Sequence, residues 1–428
     1  MSVVDPSGSA SASGPDRTPR RIAVIGGGPA GLMAADVLAS GSSTALPVTV
    51  TVFDRMPSVG RKFLLAGRSG LNLTYHEPPQ SFLARYGDRE DELRASIQAF
   101  PPEALRAWSA SLGEATFVGS SGRVFPESMR ATPLLRAWLR RLDALGVQFV
   151  PRHRWVGWDD DDTLVFDTTD RVVHIRADAT LLALGGASWP RTGSDGDWVG
   201  RVREAGIRVR DLEASNCGVL VQWTPAFRDR CAGRPLKNVE LGAGDRRLRG
   251  DVTVTSTGLE GGPVYALTPQ LRRHDARLTI DLRPDVATGA LAQRLARRRP
   301  KDSTATALRK IGLSPVAIDL LRECTRTFPK DPHQLAARIK SVPVTVAGVD
   351  GVARAISTAG GVCFDDLDDH LMVRNRPGTF VAGEMLDWEA PTGGYLLQAC
   401  FSTAVRSARG MQDWLGATSA IPAERSSV

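Results

Sequence analysis

The chain has 428 residues, 42% of them hydrophobic, which is enough for two or more domains with cores of their own, and it has no apolar stretch long enough to span a bilayer. Net charge is +7, carried almost entirely by Arg, which reads first as a compositional preference for Arg over Lys. Five scattered cysteines without a C-x-x-C pair exclude a disulfide framework and a zinc site and fit a reducing cytoplasm.

Residues 1–20 are rich in Ser, Gly, Pro and Ala and lack the apolar core of a signal peptide, so they read as a disordered tail. A strand over 22–25 then runs straight into Gly26-Gly27-Gly28-Pro29-Ala30-Gly31 and a helix over 32–38. This is the G-x-G-x-x-G arrangement that seats a dinucleotide pyrophosphate. Gly26 permits the turn, Gly28 lets a phosphate approach the backbone, and Gly31 lets the helix pack close to the sheet. Pro29 and Ala30 open that helix, whose positive end faces the diphosphate. The next strand, 48–53, ends in Asp54, an acceptor for ribose hydroxyls.

A polar, Gly-rich loop follows, with Arg61 and Lys62 as partners for a pyrophosphate or a reduced cofactor and Ser69 and Asn72 as hydrogen-bonding residues. Residues 88–112 read as helix broken at Pro101-Pro102; Thr132 reads as the cap of a helix ending at Gly146. From 147 to 184 the chain alternates in short strands, with the acidic run 159–162 as a hairpin tip. The last strand ends in Gly185-Gly186, a second place for close backbone approach. Trp189-Pro190-Arg191 and Asp195-Gly196-Asp197 form a loop that lines the site or fixes it.

Between 213 and 342 the texture changes to strand pieces and then Ala/Leu/Arg helices, predicting an inserted domain. Its beginning holds Cys217, and basic residues gather along it at Arg246-Arg247-Leu248-Arg249, Arg272-Arg273 and Arg297-Arg298-Arg299. Strand texture resumes from 343 and leads to Gly383-Glu384, to Glu389 in a Trp-Glu-Ala-Pro-Thr loop, and to Gly393-Gly394, which opens a helix at Tyr395 running to 415. The expected organisation is a tail (1–20), a discontinuous dinucleotide domain (21–212 and 343–415), the insert (213–342) and a flexible end (416–428). A Gly-acid signal so far from the first turn favours FAD, whose flavin end must be held by distant segments. No second G-x-G-x-x-G marks a separate nicotinamide domain, so either NAD(P)H visits transiently or the reductant comes from another source.

These residues make the chain resemble the BaiN/YhiN-like family of NAD(P)/FAD-dependent oxidoreductases, with Gly60-Arg61-Lys62, Thr358-Ala-Gly360-Gly361-Val362 and Gly393-Gly394-Tyr395 adding to the glycine turn. The resemblance implies an α/β, Rossmann-like FAD domain of the glutathione-reductase type with an insert of β-barrel-like and helical parts covering the flavin. It also implies reduction of carbon–carbon double bonds in steroid-like acids or in a uracil of RNA. The chain has Gly70-Leu71-Asn72 where many members have Arg-Cys-Asn, and Thr255-Ser256-Thr257-Gly258-Leu259 where many have Thr-His-x-Gly-Leu. The Cys and His suited to proton donation are therefore absent, which argues against the RNA role. Glu389, and after it Cys217, are the remaining candidates for catalytic groups. The expected activity is reduction of an unsaturated or oxidised small molecule with hydride from NAD(P)H through FAD. The alternatives are an FAD oxidase or dehydrogenase, and an RNA-binding flavoprotein acting on a nucleobase. No metal is expected.

Overall fold

The computed structural model describes residues 19–41, 47–67, 70–273, 276–299 and 301–420. At its centre, five parallel strands lie side by side in the order Thr379–Val381, Ala179–Leu182, Arg20–Ile25, Val48–Asp54, Gln148–Pro151. Their apolar runs are buried on both faces, as a parallel sheet demands. Helices Pro29–Ala39 and Tyr395–Ala420 pack together on one face, around Leu32, Trp138 and Phe401. On the other face sits the expected antiparallel meander, Arg154–Trp158, Leu164–Asp167 and Val172–Ile175, with Phe166 stacked on Phe53 at 4.6 Å.

One carboxylate ties the first helix into this core. Asp36, 2% exposed, accepts from the indole nitrogens of Trp108 and Trp138, each at 3.0 Å, and from Arg141 Nε at 2.9 Å. A buried charge is tolerated only with such a set of donors.

Strands Val209–Ser215 and Ser357–Val362 pair antiparallel and form the neck between the two bodies. Beyond it lies a seven-stranded antiparallel sheet with its own core, covered by helices Thr288–Ala296, Thr304–Lys310, Pro315–Thr325 and Pro332–Lys340.

The structure corrects several expectations. Strand Val342–Thr345 pairs with Arg277–Asp281 inside the insert, so the chain re-enters the first domain at the neck strand Ser357–Val362 rather than at 343. Alternating apolar residues mark a strand but not the sheet it joins. Of the long hairpin Pro235–Ala243 and Arg246–Val254 only the end from Val252 reads as a strand piece in the sequence, because Gly242, Gly244 and the Arg run break the rest of its strand signature. The start of the helix expected to be capped by Thr132 is also shifted: Ala131–Ala144 begins after Arg130, which leaves Thr132 inside the first turn instead of at the cap. The C-terminal helix continues through 416–420, part of the expected flexible end; 1–18 and 421–428 lie outside the described residues.

Candidate functional site

Distant segments converge on one cleft at the carboxyl end of the parallel strands, where such sheets place their ligands. The glycine turn forms its floor. Gly26 has φ +105°, and a Cβ there would stand 2.3 Å from Ala183 O. A Cβ on Gly31 would stand 1.9 Å from Gly26 O, so the helix start admits no side chain. Gly28 is the opposite case: nothing lies within 4 Å of its Cβ position, and it lines the cleft beside Pro29 and Ala30.

Asp54 faces this floor. Its carboxylate accepts from Gly27 N at 2.8 Å and Met56 N at 2.7 Å. Burial raises its pKa above the ordinary 3.8, against the pull of those N–H groups and of Arg55 and Arg61. Two acceptor positions remain for a ligand, because an ionised carboxylate offers about four.

The Gly60-Arg61-Lys62 segment is fastened to the floor by Gly60 N donating to Gly27 O at 2.8 Å. Lys62 Nζ donates to Glu384 Oε2 at 2.5 Å and Ser188 Oγ at 2.8 Å, while Glu384 Oε1 accepts from Thr358 N at 3.0 Å. Lys62 and Glu384 therefore neutralise each other on the cleft wall. Gly185 lines the same wall. Gly186 and Gly383 stand just behind it: a Cβ would meet Thr358 Oγ1 at 2.4 Å in the first and the Ala30 Cβ at 2.7 Å in the second.

At the far end, Gly393 and Gly394 have φ +128° and +101°, and a Cβ on Gly394 would stand 2.5 Å from the Thr74 backbone. They deliver the start of the C-terminal helix to the cleft, with Leu396, Leu397 and Cys400 on its lining. Tyr395 turns the other way. Its hydroxyl donates to Glu77 at 2.6 Å, and its ring stacks on Tyr75 at 5.2 Å, so the side chain braces the loop behind the site instead of facing the cleft. Ser69 lies outside the described residues.

Neither catalytic candidate is presented as a proton donor. Glu389 is gripped from the insert by both Arg272 nitrogens, at 2.6 and 2.9 Å, and accepts from Ser215 Oγ at 2.7 Å. Both of its oxygens are thus taken up by charge-assisted hydrogen bonds within the chain. Burial works against the Arg272 charge, yet Glu389 and Glu213 hold its pKa above the ordinary value. Cys217 is 3% exposed, off the cleft lining, packed with Ala214 and Ala355, and burial raises its thiol pKa. Cys400 does line the cleft, but burial pushes its thiol up to about 12.

The donor set fits a long ligand bearing both charge and hydrogen-bonding groups. Asn72 Oδ1, Arg61 Nε and Trp155 Nε1 are buried, line the cleft and have no partner. Natural interiors seldom leave such atoms unsatisfied unless a ligand or water completes them. The sequence reading passed over Arg55, His153, Arg154, Trp155, Ser194 and Ile356, all on the lining. Only Asp195 and Asp197 had a signal, the glycine-spaced acids of their loop.

Part of the insert's positive charge is committed within the chain. Arg249 pairs with Asp285, Lys237 with Asp251 and Lys310 with Asp302. Among the described residues, no group of three His, Cys, Asp or Glu side chains is gathered to hold a metal, and no helix is long and apolar enough to cross a membrane.

Residues 20–410 match the family described as HI0933-like protein Rossmann domain. Among characterised proteins, the 3-dehydro-bile acid delta(4,6)-reductase of Clostridium scindens is 23% identical over 414 residues, covering 91% of this chain and 98% of the reductase. Among solved structures, the 3-ketosteroid delta1-dehydrogenase of Sterolibacterium denitrificans, in complex with 1,4-androstadiene-3,17-dione, superposes with a TM-score of 0.50. It is 12% identical, with 93% of this chain and 99% of that one covered, a likeness of fold.

Proposed function

The chain belongs to the HI0933-like Rossmann family, the BaiN/YhiN-type FAD-dependent oxidoreductases, and from that premise we propose that it reduces an unsaturated ring ketone or acid with hydride from NAD(P)H. The observation that carries the reading is the single cleft running from the Gly26–Gly31 turn to Gly393-Gly394, with unpaired polar atoms along it. The bile acid reductase, similar over nearly its whole length, supports a carbon–carbon double bond as the target.

When bound, FAD supplies the two-electron chemistry that links a reduced nicotinamide to an electron-poor double bond. The chain's own residues do the rest. The open face of Gly28 and the helix start at Pro29 receive the pyrophosphate. Asp54 accepts from the ribose, while Arg61 and Asn72 offer their unpaired atoms to the cofactor. Lys62 and Glu384 keep the wall electrically balanced. The start of the C-terminal helix, at Tyr395, directs its positive end toward the cleft and favours negative charge there. Ile356, Trp388 and Leu397 give the lining an apolar character suited to a ring. Glu389 serves here as an anchor for the insert, through Arg272, on the segment between the lining residues Trp388 and Thr392.

An anaerobic titration of the purified protein with NADPH, followed by a ring enone, tests this reading. Bleaching of the oxidised flavin band by NADPH and its recovery on adding the enone are expected. A flavin reduced by dithionite but by neither NADPH nor NADH would contradict the proposed donor. Recovery by oxygen alone would favour the oxidase.

A further inference from the structure

The loop that leads into the C-terminal helix is held from behind by Asn216. This residue follows the neck strand Val209–Ser215 and precedes the insert's strand Val219–Leu220, so the chain passes there from one body into the other. Its φ is +53°, a left-handed conformation that Asn adopts more readily than most residues. It is 2% exposed and stands off the cleft lining.

Both polar atoms of its side chain are engaged. Nδ2 donates to Ala390 O at 2.8 Å and to Ser357 Oγ at 2.7 Å, and Oδ1 accepts from Thr392 N at 3.1 Å. The backbone carbonyl accepts from Ile356 N at 3.2 Å. A carbonyl can meet only a donor and an N–H only an acceptor, so the amide fits in one orientation. Three of the residues held in this way, Ile356, Ser357 and Thr392, line the cleft, and Gly393 and Gly394 follow directly on the same lining. Next to the amide, Ser215 Oγ donates to Glu389 at 2.7 Å, so two consecutive residues grip the segment 389–392. The other end of that loop is fixed separately, by Asp387 N donating to Val362 O at 3.0 Å and Trp388 Nε1 to Gly383 O at 2.9 Å.

We propose that Asn216 is a positioning residue for the reaction: from the junction of the two bodies, its amide sets the cleft edge formed by Ile356, Ser357 and Thr392, and with it the placement of a bound ring ketone against the cofactor. The inference rests on the ring-ketone reading and deepens it. Ile356 is 39% exposed and offers that edge an apolar face for an incoming ring. Transfer of a hydride needs its reacting atoms roughly 3–3.5 Å apart, and a misplacement of about 1 Å can cost about a hundredfold in rate. Apolar contact with a ring is non-directional and tolerates such a shift, so the effect of Asn216 falls on rate and not on affinity.

The test compares the wild-type holoprotein with two variants. Asn216→Gly permits the left-handed backbone and removes the amide. Asn216→Asp keeps the side-chain volume and the acceptor for Thr392 N but turns an oxygen toward Ala390 O, and it serves if Asn216→Gly folds poorly. The probe is 1,4-androstadiene-3,17-dione. Its dissociation constant is read from its perturbation of the oxidised flavin band, and its reduction from anaerobic single-turnover reoxidation of flavin previously reduced with dithionite. Hydrogen exchange over 390–394 gives a readout apart from activity. In Asn216→Gly that exchange is expected to quicken several-fold while FAD content and circular dichroism match the wild type. Its dissociation constant should change by less than about threefold, and its reoxidation should slow by about tenfold or more. Asn216→Asp should slow reoxidation several-fold, again with little change in affinity. Reoxidation at the wild-type rate in both variants would overturn the proposal. So would a loss of rate matched by an equal loss of affinity, FAD or fold, which would make the role of Asn216 structural only. A wild type that holds FAD but is not reoxidised by the ketone would overturn the parent reading together with this one, whereas a reoxidised wild type with unaffected variants overturns this one alone.

Discussion

The two bodies of this protein differ in where their unsatisfied polar atoms gather. In the insert, several charged side chains pair within the chain, as in Arg249–Asp285, Lys310–Asp302 and Lys340–Asp281, and one buried side-chain atom among the described residues, Gln270 Oε1, is left without a partner. In the parallel-sheet domain, Asn72 Oδ1, Arg61 Nε and Trp155 Nε1 stay unsatisfied along one cleft, and the glycines that frame it bring backbone where side chains would block. A region with one isolated atom of this kind reads as a structural appendage, and a region that lines one cleft with three reads as a binding site.

The comparison is broken most forcefully by exposing a satisfied group in the sheet domain. Asp36→Leu would leave two indoles and a guanidinium without their acceptor and should cost about 3–5 kcal/mol in denaturant unfolding. A loss under about 1 kcal/mol would show that the carboxylate is not the knot it resembles.

Arg272→Ala removes a side-chain link between the bodies, beside the neck. It should destabilise the protein by about 2 kcal/mol, as expected for losing hydrogen bonds to a charged group. It should also raise KM for the organic substrate more than it lowers kcat, since Arg272 holds the insert and is not on the cleft lining. A variant with unchanged KM and a kcat near zero would assign Arg272 to the chemistry instead.

The smallest effect sharpens the reading of the binding end. Burial keeps the Asp54 pKa above its ordinary 3.8, so the empty site takes up a proton at a higher pH than a free carboxyl does. Ribose hydroxyls need the ionised form, so binding releases that proton. FAD affinity should therefore rise with pH through this raised range and fall several-fold below it. Titrating affinity from pH 4 to 7 checks the sign, and Asp54→Asn should flatten the curve.

The glycine turn, Gly185 and Gly393-Gly394 were legible in the sequence because each answers a local backbone demand, a tight turn or a close approach, and Asp54 because an acid closes an apolar strand run. The helices of the insert were legible too, their apolar spacing surviving in Pro315–Thr325 and Pro332–Lys340. What escaped depended on pairing across long separations. Glu389 is one glutamate in a loop until Arg272, 117 residues away, takes its charge. Trp155 reads as an ordinary core residue of a meander strand, and only the fold shows that its nitrogen lacks a partner. Tyr395 follows two cleft glycines, yet Glu77 draws its hydroxyl away.

The central claim is that the cleft over Gly28 holds FAD, and the most direct test is the flavin content of Gly28→Glu beside the wild type. The open face of Gly28 means that the new side chain meets no protein atom within 4 Å at its Cβ, so the chain should fold, while its carboxylate would occupy and repel the pyrophosphate position. About one FAD per wild-type chain is expected, and almost none in a variant whose circular dichroism is unchanged. A folded variant that keeps its full yellow spectrum would contradict the account.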